Sequence, residues 1–307
     1  MVPGFFTYCG RGLLVLAFFY LALACDRPHR IENGFCSIGS EELNTAMAHW
    51  SRQFAEDRQE PPLVHEGRGS AIAPRALLEG TCDLGPMSRP MNDAEVHSFV
   101  ERFGEQPVAI PVALEALAIV VPASNPRASI SFEELRSIYL PPSEEPGPDG
   151  ELQQLPEYQP FGINTASDRY RWFRAAVLDG RKEGDHVLEV SGPLELVDRV
   201  AQNAHAIGYA RPAELTDSVR APGLSDENQI AIAPTAQNIR RLAYPLTRTL
   251  YIYLPPQTRP EALDGRTVAF LQFVLSPAGQ AVLEPLGLYP LADGDRVRMF
   301  RIVEGLR

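Results

Sequence analysis

GRGSAIAPRALLEGTCDLGPMSRPM, residues 67–91, decides how the chain is read. A glycine-bearing turn ending at Ser70 leads into a helical stretch at 71–79. A compact strand, TCDLG, follows, and then a second polar turn, MSRPM. Gly69 lets the backbone come close to a ligand, and a turn of this kind aims amide N–H groups and the Ser70 hydroxyl at an anion. The second turn falls where a neighbouring parallel strand ends, so Ser70 and the Ser88–Arg89 pair are expected to face one cleft. This is the layout of a small-oxyanion site without catalytic machinery.

Outward from that stretch the chain alternates. GFCSIG (34–39) reads as a strand. SEELNTAMAHWSRQFAED follows as a helix with Ser40 as its N-cap and Leu43, Met47, Trp50 and Phe54 as the buried stripe. PPLVHEG is a second strand, and NDAEVHSFVERFG (92–104) a helix capped by Asn92 or Asp93. This β-α-β-α-β-α order implies an α/β fold with a mostly parallel sheet and helices on both faces. Two apolar strands, VAIPVA and ALAIVVP, come next, then the helix SFEELRSIYL with Ser131 as its cap. SDRYRWFRAAVL (167–178) and PLELVDRVAQN read as helices and AIGYA as a buried strand. YPLTRTLYIYLP (244–255) is a late strand, TVAFLQFVLSPAGQAVLEPLG a helix, and LYPL a final short strand. A late strand that mirrors ALAIVVP in composition implies two crossings between lobes. The expected first lobe is therefore discontinuous, 34–112 plus 247–307, with a second lobe at 113–246 inserted in it. Trp50 and Trp172, at helical spacing, are expected in the core rather than against a ligand.

The amino terminus reads as a targeting signal over residues 1–24: Arg11, then the apolar run LLVLAFFYLALA, too short to span a bilayer. The run ends directly before Cys25, the pattern of a bacterial lipobox. Lipidation of Cys25 on a tether at 25–33 is expected, with plain secretory cleavage after Ala24 as the alternative. The net charge is −11, and loss of Arg11 with the signal makes it −12. Such acidity argues against nucleic acid as a partner. Cys36 and Cys82 each precede a strand-ending glycine by three residues. Equal offsets on neighbouring strands predict a disulfide in an oxidising compartment, with two buried thiols as the alternative. Two thiols titrated in folded, unreduced protein would refute the bridge. The six histidines show no metal spacing, no cofactor motif is present, and there is no nucleophile elbow or Walker loop. No enzyme is expected.

Taken together, EGRGSAIAPRALLEGTCDLGPMSRPM, VAIPVALEALAIVVPASNP, ISFEELRSIYL, GINTASDRYRWFRAAVLDG, AIGYA and QNIRRLAYPLTRTLYIYLP resemble the phosphate-binding proteins of bacterial phosphate ABC transporters. These are type II periplasmic binding proteins, and the resemblance spans nearly the whole mature chain. It implies a two-lobed α/β fold with two hinge strands, closing as a monomer on dehydrated inorganic phosphate or a similar oxyanion. It also implies delivery to an ABC transporter permease from a lipid-anchored position in the periplasm.

Carried over residue by residue, the resemblance places Gly39, Ser40, Gly69, Ser70, Ser88 and Arg89 of the first lobe, and Thr165, Ser167, Asp168 and Arg169 of the second, at the ligand. Ser70 and Ser167 retain the family's serines. Glu41 stands where many members have Thr, Ser88 where they have an Asp that accepts the phosphate proton, and Ile163 where they have Arg. Asp168-Arg169 replaces Gly-Thr. Loss of an arginine fork removes the strongest kind of oxyanion contact. Three outcomes stay open: phosphate held through Arg68, Arg89 or Arg169, another ligand, or no ligand. In the last case Glu41 or Asp168 is expected to pair with Arg89 or Arg169 across the cleft. A non-transport sensor or interaction protein on the same fold is the alternative function.

Overall fold

The computed structural model describes residues 34–142, 157–225, 230–256 and 265–306. The signal, Cys25 and the tether lie outside them. Elements run β1 (Cys36–Gly39), α1 (Asn44–Arg58), β2 (Val64–Gly67), α2 (Ala73–Glu79), β3 (Gly85–Met87) and α3 (Asp93–Phe103). They continue β4 (Val108–Ala116), β5 (Ala118–Pro122), β6 (Ser129–Ser131), α4 (Phe132–Tyr139), β7 (Gln159–Ile163), α5 (Asp168–Val177), β8 (Leu188–Val190), α6 (Pro193–Ala201) and β9 (Ala206–Ala210). The last are β10 (Val219–Arg220), β11 (Gly223–Ser225), β12 (Ala231–Ile232), α7 (Ala236–Arg240), β13 (Thr247–Leu254), α8 (Gly265–Val274), α9 (Pro277–Ala281) and α10 (Asp293–Glu304).

In the first lobe β1 pairs with β2 in parallel, and a Ser37–Leu84 bridge joins β1 to β3. β13 runs antiparallel between β3 and β4. The ladder between β13 and β4 slips by one residue beside Pro111, whose missing N–H cannot feed it. The second lobe is a five-stranded sheet in the order β10-β5-β9-β7-β8. The chain crosses between lobes twice, side by side: Leu117 N–H donates to Leu246 O at 2.9 Å. β4 stays paired with β13 through Ala116. A small ladder, β12-β11-β6, flanks the second lobe.

Local signals explain most elements. Asn92 and Glu95 form a capping box on α3, and Ser131 and Glu134 another on α4. Leu43, Met47, Trp50 and Phe54 are buried as their spacing predicts. Phe270 of α8 meets Phe35 and Phe54 edge-on, fixing α1 and α8 on the first sheet. In the second lobe Phe173 stacks on Tyr209 at 4.0 Å.

Some expectations are corrected. Ser40 caps a short 3-10 turn, Glu41–Leu43, before α1 begins. The third strand starts at Gly85, later than TCDLG suggests. The stretch 267–287 is broken where Ser276 caps a new turn and Pro277 takes its first position. LYPL contributes only a bridge from Tyr289 to Leu114, and the terminal helix α10 was not anticipated. Cys36 and Cys82 are both buried and lie in one apolar cluster with Ala73, Leu77 and Met87. The Ser37–Leu84 bridge sets Cys36 opposite Asp83, so Cys82 stands one residue out of register. Cys36 Sγ lies 3.4 Å from Thr81 O.

Candidate functional site

The two turns of the opening stretch meet. Ser88 N–H donates to Ser70 Oγ at 2.9 Å, and the two hydroxyl oxygens lie 2.9 Å apart. Both serines are buried. Gly39 permits this approach: a Cβ there would stand 2.0 Å from the Pro86 carbonyl oxygen. Its own carbonyl accepts from the Arg68 and Gly69 amides, both at 2.9 Å. Those two N–H groups are therefore spent within the turn. The helix behind it has only seven residues. The hydroxyl donors at the meeting of the two turns are those of Ser70 and Ser88. Gly69 takes φ +91° with open space around it, a conformation that favours glycine.

A cleft of about 660 Å³ opens beside this cradle, lined from the first lobe by Arg68, Ser70, Ser88 and Arg89, and from the second by Asp168, Arg171 and Trp172. Arg248 and Tyr251 of β13 line it as well. Asp168 is buried at the first turn of α5, where Ser167 caps Tyr170 N–H at 3.0 Å. The Asp168 carboxylate reaches across the cleft. Its Oδ2 lies 3.4 Å from both Ser70 Oγ and Ser88 Oγ, and its Oδ1 accepts from Arg171 at 2.6 Å. Asp168 N–H in turn donates to Glu41 Oε1 at 3.4 Å.

The other expected residues distribute unevenly. Ser40 is fully buried, its hydroxyl accepting from Glu42 N–H. Thr165 is exposed. Arg89 lines the cleft, but its guanidinium makes two 2.7 Å bonds to Glu95. Arg169 is buried against Glu214, with bonds of 2.8 and 3.0 Å. Neither arginine pairs across the cleft; each is neutralised inside its own lobe, because the carboxylate nearest to it lies there. Trp172, expected in the core, lines the cleft with the Arg248 guanidinium 4.2 Å from its ring centre.

Behind Arg248 lies a charge cluster that sequence reading missed. Glu115, at the end of β4, has no exposed surface. Arg211 reaches its Oε1 at 2.7 Å and Arg248 its Oε2 at 2.6 Å. Arg211 also bonds Glu42 of the first lobe. Burial works against ionisation of Glu115, yet Arg248 and Arg211 bring it down to about 2. Burial, and then the Glu115 carboxylate, push Glu42 up to about 7 against Arg211 and Arg248. The one available signal was the placement of Glu115 and Arg248 on the two hinge strands, where an apolar run is interrupted by charge.

Glu42 gives a pH prediction. Its folded value lies above the unfolded one, so between about pH 4.5 and about pH 7 the native state holds a proton that the unfolded chain has lost. That stabilisation is complete below the unfolded value and disappears as pH rises through the folded one. Glu42→Gln is expected to flatten the fall of melting temperature between about pH 5 and about pH 8. Parallel wild-type and variant curves would overturn the assignment.

A two-lobed α/β fold closing on a cleft of buried hydroxyls is the arrangement of a binding protein. The chain belongs to the family described as a PBP superfamily domain, which matches residues 37–278, and within it to the PstS-like substrate-binding proteins. It is 32% identical over 273 residues to the phosphate-binding protein PstS of Pseudomonas aeruginosa, covering 85% of this chain and 84% of that one. Its fold matches an ABC-type phosphate transport receptor from Vibrio cholerae with a TM-score of 0.67 at 20% identity, over 83% of this chain and 99% of the other. It also matches PstS from Borrelia burgdorferi with a TM-score of 0.63 at 17% identity, over 85% and 100%. Among the described residues no helix is long and apolar enough to cross a membrane.

Proposed function

We propose that this protein captures inorganic phosphate between its lobes outside the cytoplasm and delivers it to an ABC transporter permease, anchored to the membrane through Cys25. The observation that carries the reading is the Ser70–Ser88 cradle, two buried hydroxyls 2.9 Å apart at the wall of an interlobe cleft. Resemblance to proteins named for phosphate binding supports the choice of ligand. Arg68, paired with Glu66 at 2.7 Å, and Arg171, paired with Asp168 at 2.6 Å, stand at the rim, where an arriving anion can draw each guanidinium from its carboxylate. The Leu117–Leu246 hydrogen bond between the two crossings supports a hinge there, a few residues beyond the expected first boundary at 112. The reading is of a binding protein that acts as a monomer, without catalysis.

The test is calorimetry on residues 26–307 stripped of anion by partial unfolding, titrated with phosphate and then with sulfate, arsenate and molybdate. Micromolar or tighter phosphate binding, about −8 kcal/mol or better, is expected. Absence of heat from every anion in a folded protein would overturn it. That result favours the second reading, a sensor or interaction protein. The neutralised Arg89 and Arg169 are the observations on its side.

A further inference from the structure

We propose that Asp168 is the residue that sets anion affinity in this cleft, because its carboxylate is an internal occupant of the Ser70–Ser88 cradle. The carboxylate belongs to the second lobe and the cradle to the first, so the contact also holds the two lobes together before any ligand arrives. The ligand part of this inference rests on the oxyanion reading above; the closing part does not.

The geometry shows how the contact is made and why a ligand can break it. Ser70 Oγ, Ser88 Oγ and Asp168 Oδ2 form a triangle with sides of 2.9, 3.4 and 3.4 Å. Two hydroxyl protons serve three contacts, since the Ser88 N–H is already given to Ser70. The two bonds to Asp168 are long, at the weak end of the hydrogen-bond range. Asp168 keeps its place through its other oxygen, bonded to Arg171 at 2.6 Å, and through its backbone N–H on Glu41. A free oxyanion meets a different situation. It brings several acceptor oxygens, so both hydroxyl protons turn to it at once. It must first displace a tethered carboxylate, which competes at the high effective concentration of an intramolecular group. Apparent affinity then falls by the fraction of molecules in which the cradle is vacant. A dianion also suffers the charge of Asp168 at close range. Asp168 thus selects for ligands that bind the cradle strongly enough to expel it.

The experiment has two arms on the chain without its signal. In the first, phosphate is titrated into the wild type and into Asp168→Asn, which keeps the side-chain volume and the helix cap. The variant is expected to bind at least about tenfold more tightly, about 1.4 kcal/mol. Equal binding would show that the carboxylate does not compete, weaker binding that it is a ligand contact, and either would overturn the proposal. In the second arm, solution scattering is recorded without ligand on the wild type, Asp168→Ala and the double variant Ser70→Ala/Ser88→Ala, which removes both hydroxyl partners of the carboxylate. Both variants are expected to be less compact than the wild type, because either change removes the contact and only one removes the charge. Superimposable curves would overturn the closing role. Where no anion binds any of the proteins, the phosphate reading falls, and the scattering still decides whether Asp168 holds the lobes together.

Discussion

Replacing Glu115 by leucine is expected to cost about 3–5 kcal/mol of stability, the largest effect of any single change to the hinge. Glu115 is sealed from solvent and balances Arg211 and Arg248. Its removal leaves two guanidinium groups, 16% and 11% exposed, with only Glu42, bonded to Arg211 and 4.0 Å from Arg248, to balance them. An uncompensated buried charge is the costly half of a broken pair, whereas the intact pair contributes little against a well-packed apolar core. Urea unfolding measures the loss directly. For a chain of this length the melting temperature should fall by roughly 10 °C. Glu115→Gln, which keeps acceptor and shape, should lose less. A change below about 1 kcal/mol in the leucine variant would mean that the cluster rearranges around water.

Gly39→Ala is the second change with a large expected effect, and it strikes the site. The added methyl would stand 2.0 Å from Pro86 O, a backbone atom with no freedom to swing aside. The same oxygen accepts from Ser40 N–H at 2.7 Å, so β1 and the Pro86–Ser88 segment must separate together. Overpacking of this kind costs about 1–3 kcal/mol. It also draws Ser88 away from Ser70 and spoils the cradle, so phosphate affinity should drop about tenfold, about 1.4 kcal/mol. Unfolding and titration of one preparation read both effects. Gly69→Ala separates strain from crowding, because that glycine has positive φ and empty space around it. A Gly39→Ala protein with wild-type stability and affinity would show that the strand has room to move.

The parts of this fold that could be read from residues are those fixed by short-range chemistry. The caps at Asn92 and Ser131 rest on glutamates three residues ahead. The α1 stripe is a matter of helical spacing, and the strand at YPLTRTLYIYLP declares itself by length and β-branched or aromatic content. The meeting of the two turns was also legible, because the end of one strand and the start of the next helix share an edge of the sheet. What escaped was set by partners far away in sequence. A one-residue register difference sets Cys36 opposite Asp83 rather than Cys82, and no local signal fixes register between segments so far apart in sequence. Arg89 and Arg169 were candidates for the ligand because charge was needed there. Their fates were decided by Glu95 on the next helix and Glu214 beyond β9. Asp168 was singled out as a departure, yet its seat on two serines of the other lobe is a property of the closed molecule alone.

The chain has two tryptophans, and the fold gives them different lives. Trp50 is sealed inside the first lobe with its indole N–H on Gly279 O at 2.7 Å. Trp172 stands in the cleft wall under a guanidinium. Light emitted by the first is therefore indifferent to what enters the cleft, while that of the second answers to any shift of Arg248 or exchange of neighbours across it. The unlabelled protein carries its own optical gauge, a steady lamp and a responsive one, and Trp172→Phe would leave the steady lamp alone.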